Sequence, residues 1–165
     1  MKKQLVATAL LLFVPIFYVS CVSSILKDAP PTFSSEIKVT DPVAPFVKTK
    51  TSVFPSWKSS KSGNVISVVS DCDPNSNLTL QKLHQLVEDS LYNLAVLKEE
   101  TQTFQGRPSF YKRVSGELDG RPIEVISISF KRKACGYVSS LSGKKETLEQ
   151  DLKNFETFNN GLRFE

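Results

Sequence analysis

The sequence predicts an α+β fold, an antiparallel sheet with two helices packed on it. Three observations carry that prediction. Ile126, Ile128 and Phe130 alternate with serines, the two-residue period of a strand. Asp119-Gly120 stands between two strand-like segments, and this pair supplies the positive φ that a type I′ hairpin turn needs. Leu80, Leu83, Val87, Leu91 and Leu94, and later Leu148, Leu152, Phe155 and Phe158, recur at helical spacing.

Taken in order, Val65 to Val69 is a β-branched run and reads as a strand. It stops at Asp71-Cys72-Asp73-Pro74-Asn75, a dense turn cluster. A helix is expected from Asn77 or Thr79 through Leu94. Ala95 to Phe104 and Ser109 to Leu118 are the next strands, with Phe110 and Val114 on one side and Tyr111 on the other. Pro122 sits at the entry of the strand Ile123 to Phe130, where its missing donor is tolerated. Lys131-Arg132-Lys133 is expected to turn the chain into a strand from Ala134 to Leu141. A second helix is expected from about Lys145 to Asn159, with Gly161 at a left-handed C′ position and Leu162 as its apolar contact. Leu162 to Phe164 has room for one short last strand. The order β-α-β-β-β-α places the helices on one face of the sheet.

The N-terminus is of another kind. Met1-Lys2-Lys3 is a short basic start, an apolar run follows from Leu5 to Val19, and small residues close it. That is the layout of a secretory signal. The run is shorter than the roughly 20 residues that span a bilayer core, and Pro15 breaks it. The chain of 165 residues has a formal net charge of +4. Taking away residues 1–20 takes away two lysines and no acids, leaving 19 basic against 17 acidic residues and a net charge of about +2. So small a charge gives no reason to expect nucleic acid as a partner. Residues 21–56 hold five of the nine prolines, set among Ser, Thr, Lys and Val, and read as an extended tether. The competing reading packs this stretch on the domain through Ile37, Val39 and Phe46. The expected organisation is a signal over 1–20, a tether over 21–56 and an α+β domain over 57–165.

Tyr18-Val19-Ser20-Cys21 resembles the lipobox of bacterial lipoproteins, with Tyr18 where leucine is usual. The resemblance implies that Cys21 carries diacylglycerol and an acyl chain such as palmitate, and becomes the first residue. Val22 in place of aspartate implies the outer membrane. Two or more acyl chains suffice for stable anchoring. Further on, the segment from Gly106 to Phe164 has a hairpin with Gly116-Glu117-Leu118-Asp119-Gly120-Arg121-Pro122 and a strand bearing Gly136-Tyr137. Its closing helix ends in Phe155-x-x-Phe158 and Leu162-x-Phe164. This pattern resembles the PsbP/Mog1/DcrB-like α/β/α sandwich, a family of small binding or assembly proteins. The resemblance implies no catalytic residues.

With Cys21 assigned to lipid, Cys72 and Cys135 remain, and an oxidising envelope favours a disulfide between them over two separate buried thiols. His84, the sole histidine, is expected half-exposed on the first helix. Asp71, Asp73 and Asn75 lack the glycine and glutamate of a calcium loop, so no metal is expected. No cofactor motif is present. Glu99 and Glu100 are neighbours on a strand and point apart, which removes them as an acid/base pair. Lys131, Arg132 and Lys133 are the candidate contact with an anionic surface, or else a solvated turn that guards a strand end. The sequence therefore leads to a non-catalytic, lipid-anchored envelope domain whose partners are the membrane and an envelope protein or polymer. The alternatives are a small periplasmic carrier or enzyme with a pocket between sheet and helix, near His84 or Asp71, and a structural component that self-associates.

Overall fold

The computed structural model describes residues 33–50 and 52–164. Seven strands form one antiparallel sheet: β2 (Phe46–Lys48), β3 (Ser56–Ser59), β4 (Val65–Asp71), β5 (Tyr92–Phe104), β6 (Arg107–Leu118), β7 (Arg121–Arg132) and β8 (Cys135–Gly143). Their spatial order is β2-β3-β4-β8-β7-β6-β5. β1 (Ile37–Lys38) and β9 (Arg163–Phe164) pair separately as a small ribbon.

The long meander β5-β6-β7 is built on two tight hairpins. Leu118 faces Arg121 across Asp119 and Gly120, whose φ values are 51° and 71°. This is the turn that the Asp-Gly pair predicts. Gln105 and Gly106, at 48° and 75°, make the same kind of turn between Phe104 and Arg107. Its Gln-Gly pair is a weaker signal than Asn-Gly or Asp-Gly.

Strand alternation gives the sheet two buried faces. Trp57, Ile66, Val68, Ile126, Phe130, Tyr137 and Leu141 form the larger core with Leu148, Phe155, Phe158 and Leu162. Those last residues come from α3 (Lys145–Leu148), a 3-10 turn (Glu149–Asp151), α4 (Leu152–Gly161) and the residue after it. Each aromatic or aliphatic side chain so buried contributes about 1.5–3 kcal/mol. The other face carries Val69 and Val138 beneath Leu83, with Leu80 and Val87 packed around them. The covering helices there are α1 (Leu80–Leu83) and α2 (Gln85–Glu88). The helices thus lie on both faces, in the α/β/α arrangement, and not on one.

Several expectations change in detail. The first helix is two single turns that end at Glu88, and Leu94 lies exposed on β5. The strand wins there because Tyr92 onward pairs with β6, with register irregularities near Asn93 and Leu97. Gly161 closes α4 in helical conformation, and the cap is Leu162, extended and fully buried. Lys131 and Arg132 are the last residues of β7, and the turn is Lys133-Ala134.

The largest correction concerns residues 33–56, read as tether. Ile37 and Phe46 are buried in the main core, and β2 pairs with β3 along the sheet edge. The folded unit therefore begins well before residue 57. The prolines of this stretch sit between its short strands or at their ends, where they remove no ladder bond that the sheet needs. Residues 1–32, with the signal and Cys21, lie outside the described residues.

One close approach locks the β3–β4 loop to the start of the C-terminal helices. Asn64 is fully buried; its Nδ2 donates to the Thr147 carbonyl at 2.7 Å and to Asp151 Oδ2 at 2.8 Å. Thr147 Oγ1 donates to Asn64 Oδ1 at 2.9 Å. Gly143 gives room for this: a Cβ there would stand 1.9 Å from Asn64 Oδ1 and 3.3 Å from its Cα. Gly143→Ala should therefore cost about 1–3 kcal/mol through overpacking, and more if an Asn64 bond breaks. Urea unfolding of the two proteins checks this, and an unchanged midpoint would show that the clamp does not hold.

Candidate functional site

On the α1–α2 face, β7 turns Ser127 and Ser129 inward, and both are completely buried. Ser129 Oγ donates to the Leu80 carbonyl at 2.6 Å. Ser127 Oγ lies 2.7 Å from His84 Nδ1. His84 is fully buried rather than half-exposed, with its ring edge-on to Phe110 at 5.7 Å. Next to it, Glu88 pairs with Lys112 at 2.9 Å, and Lys112 also reaches Glu99 at 3.4 Å. His84, Ser127 and Glu88 are the residue types of a nucleophilic triad. No cavity among those described is lined by His84 or Ser127. Both side chains are fully buried, and their shortest polar contact is with each other.

The imidazole is held down at about 4, against an ordinary 6.5. Burial is the main cause and the Lys112 cation the second, while a backbone hydrogen bond at Phe110 opposes them. The unfolded chain thus takes up a proton near pH 6.5 and the folded chain only near pH 4. Stability from this group is complete above pH 6.5 and is lost as the pH falls through that window, by on the order of 3 kcal/mol. In denaturant titrations across the window, His84→Leu should show a flatter pH dependence than the parent chain. Parallel curves would assign the loss to carboxylates instead.

On the opposite face, α4 does not reach the outer strands. It leaves a cleft of about 380 Å³ between itself and β5, β6 and β7. Tyr111, Ile126 and Ile128 form its floor, Leu152 and Phe155 its helical wall, and Gln102 and Glu156 lie on its lining. Asn159 also lines it. This side chain is 3% exposed, and neither its amide nitrogen nor its oxygen has a partner among the described residues. An orphaned buried amide costs about 1–3 kcal/mol. Burial, the largest influence on Tyr111, raises its phenol above the ordinary range despite Arg113 and Lys98. On the same face, Arg113 pairs with Glu124 at 2.6 Å and Glu149 at 2.7 Å. Burial works against that cation, but the two carboxylates outweigh it and raise its pKa. The cleft sets an apolar floor and helical wall beside Gln102, Thr103, Glu156 and Asn160, with a buried amide among them, an arrangement suited to binding.

The residues singled out from the sequence are placed as follows. Cys72 and Cys135 form a disulfide, with Cα atoms 4.2 Å apart. They sit one step beyond the Asp71–Gly136 pair of the β4–β8 ladder. Asp71 and Asp73 cap the turn: Asp71 Oδ1 accepts from the Asp73 amide and Asp73 Oδ1 from the Asn75 amide. Glu99 and Glu100 point apart, to Lys112 and to Lys98. The basic run does not form one patch. Lys131 and Arg132 alternate across β7, Arg132 lies 5.2 Å from the Phe164 ring, and Lys133 pairs with Glu36 at 3.5 Å. Beside Asp71 there is a cavity of only about 20 Å³. A pocket of about 230 Å³ does lie between α2 and the sheet, lined by Leu86, Val87, Val69 and Val125 but not by His84 itself. Asn159 went unnoticed because one asparagine late in a helix carries no signal until the packing around it is known.

No family model matches the chain, and no curated protein matches it. Solved structures do. The cyanobacterial PsbP (CyanoP) of Synechocystis is 12% identical, with a TM-score of 0.50 over 81% of this chain and 84% of that one. A Pseudomonas aeruginosa protein of unknown function, PA94, is 13% identical, with a TM-score of 0.49 over 80% and 83%. LpqN, involved in cell envelope biogenesis of Mycobacterium tuberculosis, is 8% identical, with a TM-score of 0.41 over 80% of each chain. The chain is an α+β protein with a PsbP-like fold.

Proposed function

We propose that this protein is a non-catalytic envelope lipoprotein whose domain binds a partner protein or polymer in the cleft beside α4. The observation that carries the binding part is Asn159, buried and unpartnered beside a floor of Ile126 and Ile128 and a helical wall of Leu152 and Phe155. A ligand that is apolar over most of its length and carries an amide-like group would fill the trough and could pair with that side chain after a small rotation. The burial of His84 favours binding over catalysis. The anchor rests on the basic start, the apolar run and Tyr18-Val19-Ser20-Cys21. Acyl chains on Cys21 would hold the domain at a membrane surface and raise its effective concentration near membrane-bound partners. By the lipobox resemblance, the outer membrane is the proposed location.

Intact mass of the membrane-extracted protein tests the anchor. A chain beginning at Cys21 with added acyl mass is expected, and Cys21→Ala should abolish both. An unlipidated chain beginning elsewhere would remove the anchor and bring the soluble-carrier reading forward. The cleft is tested with anilinonaphthalene sulfonate as an apolar probe. Leu152→Trp fills the trough and should weaken saturable dye binding by roughly tenfold, about 1.4 kcal/mol, without lowering the melting temperature. Equal binding by both chains would show that the dye, and the trough, are unrelated.

A further inference from the structure

We propose that the β2–β3 hairpin, at one edge of the sheet, is a docking surface for anionic lipid bilayers. Between residues 43 and 64 the chain has four lysines, Lys48, Lys50, Lys58 and Lys61, and no acidic residue. All four are exposed, and none joins an ion pair among the described residues. Lys48, Lys58 and Lys61 border an open depression of about 610 Å³ whose lining holds no carboxylate. Asp41, the acidic residue placed by the indole of Trp57, accepts from Trp57 Nε1 at 2.9 Å.

The other polar groups of this depression are already engaged. Ser60 Oγ donates to the Pro45 carbonyl and Ser62 Oγ to Asp151. The Lys61 and Ser62 amides donate to Ser59 Oγ, and the Gly63 amide to the Ser59 carbonyl. Lys48 shares a face of the hairpin with Trp57, its Nζ 6.0 Å from the ring centroid, while Lys58 shares the other face with Val47; the ammonium groups of Lys50, Lys58 and Lys61 are left as mobile point charges. They cannot chelate one phosphate as an arginine fork does, but they suit a surface that presents many. The same segment exposes Val43, Val47 and Val53, each more than half accessible. Aliphatic side chains between lysines favour a bilayer over a dissolved polymer, because they gain by entering the headgroup region.

This inference does not rest on acylation of Cys21. An acyl anchor acts whatever the headgroup charge, whereas the hairpin should read that charge. The full chain is mixed with vesicles of phosphatidylcholine alone, and of phosphatidylcholine with phosphatidylglycerol, at low and high salt. Flotation then measures the bound fraction. Tighter binding to the anionic vesicles at low salt is expected, with the gain lost at high salt. Each lysine near an anionic surface is worth about a fivefold gain, so Lys48→Glu with Lys58→Glu and Lys61→Glu should lose on the order of a hundredfold or more. Binding to neutral vesicles should stay as it was. Lys131→Glu with Lys133→Glu should leave the gain largely in place. If the triple variant does not fold, Lys58→Glu and Val47→Asp decide singly, each expected to weaken anionic binding several-fold. The proposal is overturned if the hairpin variants keep the gain or if the Lys131 and Lys133 pair carries it. Capture of the chain by soluble polyphosphate, with no gain on anionic vesicles, would overturn it as well.

Discussion

Strand β8 runs between β4 and β7 and is buried along seven of its nine residues, on both faces. A strand in that position cannot hydrate a polar side chain, yet β8 and its neighbours are rich in serine. The packing must supply every partner or accept the cost of about 1–3 kcal/mol for each one missing. It supplies most of them: Ser140 bonds to Ser67 across the ladder at 2.8 Å, Ser129 to the Leu80 carbonyl, and Ser127 to His84. Small side chains also let α1 lie close. A Cβ on Gly136 would meet Leu83 at 2.4 Å, so the glycine is what seats that helix. The short helices α1 and α2 are too brief to be stable alone, and their existence follows from this contact.

The two faces consequently do different things. The α1–α2 face is closed by serine, histidine and the Glu88–Lys112 pair, whose charges are largely removed from water. Such a pair adds little net stability, but losing one partner is costly, which makes the arrangement specific rather than adjustable. The α4 face is closed by aromatic rings: Phe130 stacks on Tyr137 at 5.3 Å and meets Phe104 at 4.9 Å. These contacts are centred on β7 and β8, and α4 follows them. The outer strands β5 and β6 are left without a helix above them, so the cleft beside Asn159 is a consequence of where the aromatic core was placed.

Much of this was legible in the chain. Alternation gave β7, Asp119-Gly120 gave its hairpin, and the period of Leu148, Leu152, Phe155 and Phe158 gave the C-terminal helix. What failed did so for physical reasons. Serines alternating with Ile126 and Ile128 look like a solvated face, and only the helix above them makes that face interior. Leu91 and Leu94 continue a helical period, but thirteen residues of β5 gain ladder bonds with β6, and tertiary pairing overrides the local pattern. Proline density suggested a tether, whereas Ile37 and Phe46 are anchored by a core whose other members lie far along the chain. The site was less legible than the fold. His84, Ser127 and Lys112 are far apart in sequence and only register brings them together, while the three consecutive basic residues at 131–133 are separated by strand alternation.

The two edges of the sheet are also unlike, and the difference is chemical. β5 is long and exposes Tyr92, Val96 and Leu97, a composition that invites pairing with another strand. Its register irregularities near Asn93 and Leu97, together with Lys98, Glu99 and Glu100, interrupt the flat template that such pairing needs. Those charges are also paired, Lys98 with Glu100 and Glu99 with the Lys112 that already holds Glu88, so this edge resists strand addition while its cations are matched by carboxylates. β2 is only three residues long and offers little backbone to a neighbouring strand. Charge at that end is therefore not needed to prevent pairing. Four lysines with no ion-pair partner among the described residues repel one another at a cost to the fold, and a short edge strand gives little structural return for that cost. An uncompensated charge that the architecture does not require is best explained by what lies outside the molecule.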